Sequence, residues 1–318
     1  MHHRTIPRFL AAVLLICGCG ILDSPGIDDF PDAGPGGPDS LLAGVGRGVP
    51  FGLFGLPDQA FGVPYTGAHL MVNRSNIAAA MRAAQAAHTR LVVNLAGSSS
   101  HYTNADGTFN MALWRAQVDT YRDVDFAPYV TEGLILAHFL VDEPGAPDTW
   151  GGREISASEV EAMAEYSKSI WPSLPTAVRA RPGWLQKAGL TWHSLDIAWA
   201  QWSGPFGGSA GRTPEEFRDE NVAQAKAQGL GLVFGMNLLD GGEGSSGIAG
   251  HRSGHWEMSA AEVVRVGTVL AQTPYSCALL SWRYDAAFER RPGTRAALDS
   301  VAVAAADRGG ISCLQRGQ

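Results

Sequence analysis

The chain has 318 residues, is 45% hydrophobic and 17% charged, and carries a formal net charge of -7. That length and apolar content suffice for one large core, and an α/β barrel uses about 250 residues as a single domain. The acidic balance and the lack of any long Lys/Arg run argue against a nucleic-acid partner, whose phosphates call for a basic face.

The first residues read as an export signal. Met1 to Arg8 is basic and Phe9 to Ile16 is apolar, a run too short to span a bilayer. Ile16-Cys17-Gly18-Cys19 resembles the bacterial lipobox, which implies removal of residues 1–18 as a lipoprotein signal peptide and lipidation of Cys19. The plainer alternative is an ordinary cleaved signal with incidental cysteines. Gly20 rather than Asp follows Cys19, which favours a lipid anchor in the outer membrane of the cell envelope. A secreted or periplasmic protein is the other expectation. Residues 19–49 contain Ser24-Pro25-Gly26 and Gly34-Pro35-Gly36-Gly37-Pro38, too little apolar surface to offset their ordering entropy, so they read as a tether behind Cys19. The folded domain is expected over residues 50–318.

Along that domain Phe51 to Phe54 reads as a strand, and a second short strand is expected between Pro64 and Asn73, within Ala68 to Asn73. A helical pattern at Ile77 to Ala87 leads to a strand at Arg90 to Leu95, and another at Met111 to Tyr121 leads to Leu134 to Val141. The last is an almost unbroken apolar run, as in strands buried on both faces, and it ends in Asp142, Glu143 and Pro144. Then come a helix at Ser158 to Ile170, strands at Thr176 to Arg179 and Asp196 to Trp202, and a helix at Pro214 to Gln228. A strand at Leu232 to Leu239, a helix at Ala260 to Gln272, a strand at Cys277 to Trp282 and a helix at Arg295 to Ala306 complete the order. Such alternation implies βαβ units and a parallel sheet, hence a single-domain (β/α)8 TIM-type barrel of the α/β class.

Three helix starts have capping-box spacing: Ser156 with Glu159, Thr213 with Glu216, and Ser259 with Glu262. Gly241 to Gly254 reads as a long flexible loop over the barrel mouth, a place where loops act as lids. Cys277 begins the last strand at the bottom of the barrel and Cys313 follows the final helix back to the same end, so a disulfide between them is expected. Two free buried thiols are the alternative.

Two acids at the carboxyl end of a barrel strand stand where such barrels build active sites. Asp142-Glu143-Pro144, the late aromatic run Leu279 to Asp285 and the lipoprotein leader together resemble glycoside-hydrolase-type (β/α)8 barrels, over roughly Pro50 to Arg308. The resemblance implies an exported enzyme cleaving O-glycosidic bonds of an oligo- or polysaccharide, with Glu143 as general acid/base. In the largest clan of such barrels strand four ends in Asn-Glu-Pro, from which Asp142 departs. Those enzymes carry a second Glu at the end of strand seven, where this chain offers Asp240 and Glu243; Asp240 is the candidate partner. A retaining mechanism sets the two carboxyls about 5 Å apart and an inverting one roughly 6.5 to 9.5 Å. Adjacent Asp-Glu also resembles the barrel N-acetylhexosaminidases, which implies Asp142 orienting the substrate's own acetamido group while Glu143 protonates the leaving oxygen. Strict strand alternation points the two to opposite faces, so the chain must twist near Pro144 for both to serve one pocket. The plainer reading of the pair is a salt bridge to Arg179 or Arg181.

For substrate binding, Trp199, Trp202, Trp282 and Tyr284 offer faces on which sugar C–H groups stack, and Gln201 and Asn237 offer amides for hydroxyls. Core packing is the alternative for each aromatic. Asp285 binds a sugar hydroxyl or caps the following turn, and Arg179 and Arg181 steer an acidic sugar or hold Glu143, with plain surface arginines as the alternative. His251 and His255 lie among glycines without a further ligand at diagnostic spacing, so a solvated loop is expected there and no metal or cofactor. His138, inside its strand, reads as a buried histidine. The expected partner is a carbohydrate, with membrane contact through the lipid anchor only and a monomeric state. The competing class is a noncatalytic carbohydrate-binding lipoprotein on a degenerate barrel.

Overall fold

Eight parallel strands close on themselves in chain order, β1 pairing with both β2 and β8. They are β1 Phe51–Phe54, β2 Gly67–Met71, β3 Arg90–Asn94, β4 Ile135–Asp142, β5 Thr176–Arg179, β6 Ile197–Trp202, β7 Gly231–Met236 and β8 Ser276–Ser281. This is a computed structural model, and it describes residues 48–314. The expected signal peptide, Cys19 and the tether up to residue 47 lie outside the described residues. The helices are α1 Ile77–Ala87, α2 Met111–Asp119, α3 Ala127–Thr131, α4 Ala157–Ile170, α5 Pro182–Lys187, α6 Pro214–Ala227, α7 Ala260–Ala271, α8 Ala286–Glu289 and α9 Thr294–Ala306. Among the described residues no helix is long and apolar enough to cross a membrane.

The strands form because both of their faces are covered. β1, β5, β7 and β8 are buried at every residue, which is why they read as apolar runs rather than as alternating ones. The short strand expected between Pro64 and Asn73 is β2. Alternate residues point inward: Phe54, Val92, Phe139, Ala177, Trp199, Val233 and Leu280 share one buried cluster. The interior is thus a packed core with no pore, as barrels of this size are. Near its upper end Phe54 stacks on His69 at 4.1 Å and lies 4.7 Å from Trp199, while His69 meets Phe139 edge-on at 4.6 Å. The opposite residues face the helices. His138 bonds through Nδ1 to Ser167 of α4 at 2.8 Å, and Trp114 of α2 donates to the Leu140 carbonyl at 2.9 Å.

All three expected capping boxes are present: Ser156, Thr213 and Ser259 each accept from the third helical amide, whose Glu reaches back. Each hydroxyl cap is worth about 1 kcal/mol. The short helices α3, α5 and α8 carry too few periodic residues to be read from sequence. At the barrel floor Cys277 and Cys313 form the expected disulfide, with Cα atoms 5.1 Å apart. Cys313 packs into the interior cluster with Ile311 beside it, so the C-terminal segment plugs the floor.

Candidate functional site

At the carboxyl end of the barrel the chemistry gathers around Arg179, the last residue of β5. Plain alternation from Phe139 would send Val141 inward and Asp142 toward the helices. The β4–β5 register, however, runs from Phe139 opposite Ala177 to Asp142 opposite Arg179, so β4 holds one residue more than its neighbour over that stretch. This irregularity returns Asp142 to the inner face, the kind of re-aiming that bulges perform beside functional sites. The twist expected at Pro144 therefore begins earlier, between Phe139 and Asp142.

Glu143 follows with φ of 41°, a left-handed conformation. Its amide donates to the Arg179 carbonyl at 3.1 Å, and its carbonyl accepts from Trp150 Nε1 and the Ala146 amide, both at 3.0 Å. The two carboxylates consequently meet one guanidinium. Arg179 donates through Nε and Nη2 to the two oxygens of Asp142, through Nη1 to Gln201 at 2.7 Å, and its Nη2 lies 3.5 Å from Glu143. The arginine is buried, with a side chain 7% exposed, whereas Asp142 is 34% and Glu143 39% exposed. Burial acts to lower the Arg179 pKa, but the Asp142 carboxylate outweighs it and the guanidinium is held above its ordinary range. Beneath it the Trp282 ring lies 5.3 Å and the Phe54 ring 5.7 Å from the guanidinium carbon, within cation–π range.

A cleft of about 340 Å³ opens beside Arg179, between the ends of β4, β5 and β6. Of the residues expected from sequence it gathers Glu143, Arg179, Arg181, Trp199 and Gln201. Its other side chains include Trp184, Ser203 and Arg252. The Trp184 indole of α5 packs close against Gly145, where a Cβ would collide with its Nε1, Cε2 and Cδ1. Its position directly after a strand end was the available signal, since barrels draw site residues from every strand-to-helix loop.

The remaining expected residues do other work. Trp202 alternates outward from Gln201 and is buried edge-on against Phe217 of α6 at 5.5 Å, so core packing replaces the expected sugar contact. Trp282 lies under Arg179 and outside the cleft lining. Asn237 Oδ1 accepts from the Asp240 amide at 3.1 Å in the turn that ends β7. Asp240 is itself buried, and its Oδ1 accepts from the Arg252 amide at 2.8 Å. Glu243 pairs with Arg265 on α7 at 2.7 Å. Asp285 resolves to the capping alternative: it accepts from the amides of Phe288 and Ala287 at the start of α8, which hold its carboxyl below the usual range. Tyr284 donates its amide to the Phe54 carbonyl at 2.9 Å and lies outside the cleft lining. Among the described residues no group of three or more His, Cys, Asp or Glu side chains is placed to hold a metal.

Barrel closure defines the chain as a (β/α)8 barrel, with Asp142, Glu143 and Arg179 gathered at the ends of β4 and β5. Two solved structures carry that statement at the level of fold. A β-glucanase from Saccharophagus degradans is 11% identical, with 82% of this chain and 88% of that chain covered and a TM-score of 0.53. An endo-β-1,4-mannanase double mutant from Cellulomonas fimi is 16% identical, with 86% of this chain and 74% of that chain covered and a TM-score of 0.55. No family model matches the chain, and no curated protein does so significantly.

Proposed function

We propose that this protein hydrolyses O-glycosidic bonds of an oligo- or polysaccharide, with Glu143 as general acid/base. The observation that carries this reading is Glu143 itself, a partly exposed carboxylate at the end of β4 on the wall of the cleft. Trp184 supplies an apolar face for a sugar ring, and Gln201 and Ser203 supply polar groups for hydroxyls. Glu143 gives its proton to the leaving oxygen as the glycosidic C–O bond breaks, and afterwards accepts one from the attacking water. Asp142 acts as a positioning residue: it fixes Arg179, and Arg179 faces Glu143.

Among the described residues, Glu143 is the only carboxylate in the cleft lining. That favours the exception to the two-carboxylate rule, in which a substituent of the sugar attacks the anomeric carbon and water later opens the cyclic intermediate. The apolar leader and the lipobox-like Ile16-Cys17-Gly18-Cys19 support an exported, lipid-anchored location. A second reading, a noncatalytic carbohydrate-binding protein, draws on the engagement of Asp240 and Glu243 away from the cleft.

Turnover of an aryl-glycoside and oligosaccharide panel separates the two. The hydrolase reading expects Glu143→Gln to lower kcat by about 10²-fold or more while binding persists. Wild-type binding without turnover supports the second reading, and turnover indifferent to Glu143→Gln removes Glu143 from the chemistry.

A further inference from the structure

The cleft carries charge opposite in sign to the chain around it. Three arginines and one carboxylate line it, in a protein of net charge -7. Arg179 is neutralised by Asp142. Arg181 and Arg252 are exposed, and among the described residues no carboxylate pairs with either guanidinium.

Both reach the cleft from neighbouring loops, Arg181 after β5 and Arg252 after β7. The loop after β6 passes close against the Arg181 side chain at Gly208, where a Cβ would meet its Cδ, Cζ and Nη1. The Arg252 amide is anchored on the buried Asp240 carboxylate at 2.8 Å. The same β7 loop is tied to the β6 loop by His255, whose ring stacks on Phe206 at 3.7 Å and whose Nδ1 meets the Asp240 carbonyl at 2.9 Å. Two unpaired guanidiniums thus flank one concave wall, which concentrates positive potential there. Their planar donor forks match carboxylate and sulfate oxygens.

We infer that the cleft takes an anionic saccharide, with sugar units bearing carboxylate or sulfate groups that Arg181 and Arg252 bind. The inference rests on reading the cleft as a glycan site. It adds the chemical class of the glycan, which the fold leaves open.

Calorimetry with matched oligosaccharides tests it: oligogalacturonate and oligoalginate against their carboxyl-reduced forms, and carrageenan oligosaccharides against desulfated ones. In the wild-type chain and in Glu143→Gln, at least one anionic member is expected to bind about tenfold or more tightly than its neutral match. Which pair responds distinguishes carboxylate from sulfate. Arg181→Ala with Arg252→Ala is expected to abolish the preference without shifting Tm, and Lys at both positions to restore part of it. Neutral members binding as tightly as anionic ones, or a preference that survives the double alanine variant, overturns the inference. Equal turnover of an anionic substrate and its neutral match, both dependent on Glu143, would overturn it while leaving the hydrolase reading intact. Anionic binding without turnover does the reverse, and binding of no pair counts against both.

Discussion

Glu143 is one of two non-glycine residues with positive φ among the described residues. The other, His88, closes α1 as its left-handed C-cap, an ordinary place for that conformation. Glu143 instead ends a strand, and the conformation costs about 1–2 kcal/mol for a residue with a Cβ. Strain kept in place by three main-chain hydrogen bonds on a cleft wall is the pattern of a functional residue. Glu143→Gly is therefore expected to leave stability unchanged or raise it by up to about 1 kcal/mol in urea unfolding, while abolishing turnover. A loss well beyond that amount would mean the carboxylate is there to hold the fold. Asp142 and Glu143 could be singled out in the sequence because two acids after an apolar run are conspicuous. Their common side could not, since it depends on one extra β4 residue opposite β5. Trp202 misled for a related reason: its neighbour Gln201 faces the cleft, and one step of alternation reverses the side.

The segment after β7 is the element whose composition was most misleading. Gly241 to Gly254 looks flexible, yet Gly242 bridges Trp256, Gly250 donates to the His255 carbonyl at 2.8 Å, and Ser246 donates to the Glu257 carbonyl at 2.6 Å. Asp240 is the buried centre of this arrangement. A scaffold role and a nucleophile role for Asp240 predict different outcomes. Asp240→Asn keeps an acceptor for the Arg252 amide, so the scaffold role expects turnover and anion binding within a fewfold of wild type. Asp240→Ala removes it, with an expected loss of about 1–3 kcal/mol and faster hydrogen exchange over residues 249–255. Loss of turnover in Asp240→Asn with exchange unchanged would restore the nucleophile assignment. The capping boxes, by contrast, were legible because hydroxyl and Glu lie three residues apart in one chain. The loop's partners lie 12 to 15 residues apart and on another strand's connection.

At the scale of the molecule, two histidines are sealed in opposite layers of the barrel. Burial, assisted by the Arg179 charge, pushes His69 down to about 3, and burial alone pushes His138 to about 3. Both values lie below the unfolded value of about 6.5, so between pH 6.5 and 3 the unfolded chain binds more protons than the folded one. Stability is then full above about pH 6.5 and falls as the pH drops toward 3. The pair is expected to contribute about 3 kcal/mol per pH unit between pH 6 and 4, and His138→Gln to remove about half of that slope in denaturant titrations. An unchanged slope would show that His138 takes up its proton within the fold. The disulfide adds to the same whole-chain stability by closing the barrel floor, a bond between positions 36 residues apart. Bridging a loop of that size is worth on the order of 2–4 kcal/mol.

What the amino-acid sequence determines alone is whatever local periodicity and short-range chemistry decide. Apolar runs specify strands buried on both faces, their alternation with helical patterns specifies a parallel barrel, and Ser156, Thr213 and Ser259 specify where three helices begin. Tertiary structure decides which side each residue faces and what it meets. Asp142 reaches Arg179 through a register irregularity, Asp240 turns to the Arg252 amide, and Arg181 and Arg252 arrive on one wall from separate loops. These are contacts between segments that chain order alone does not bring together, and they form when neighbouring strands and their loops pack.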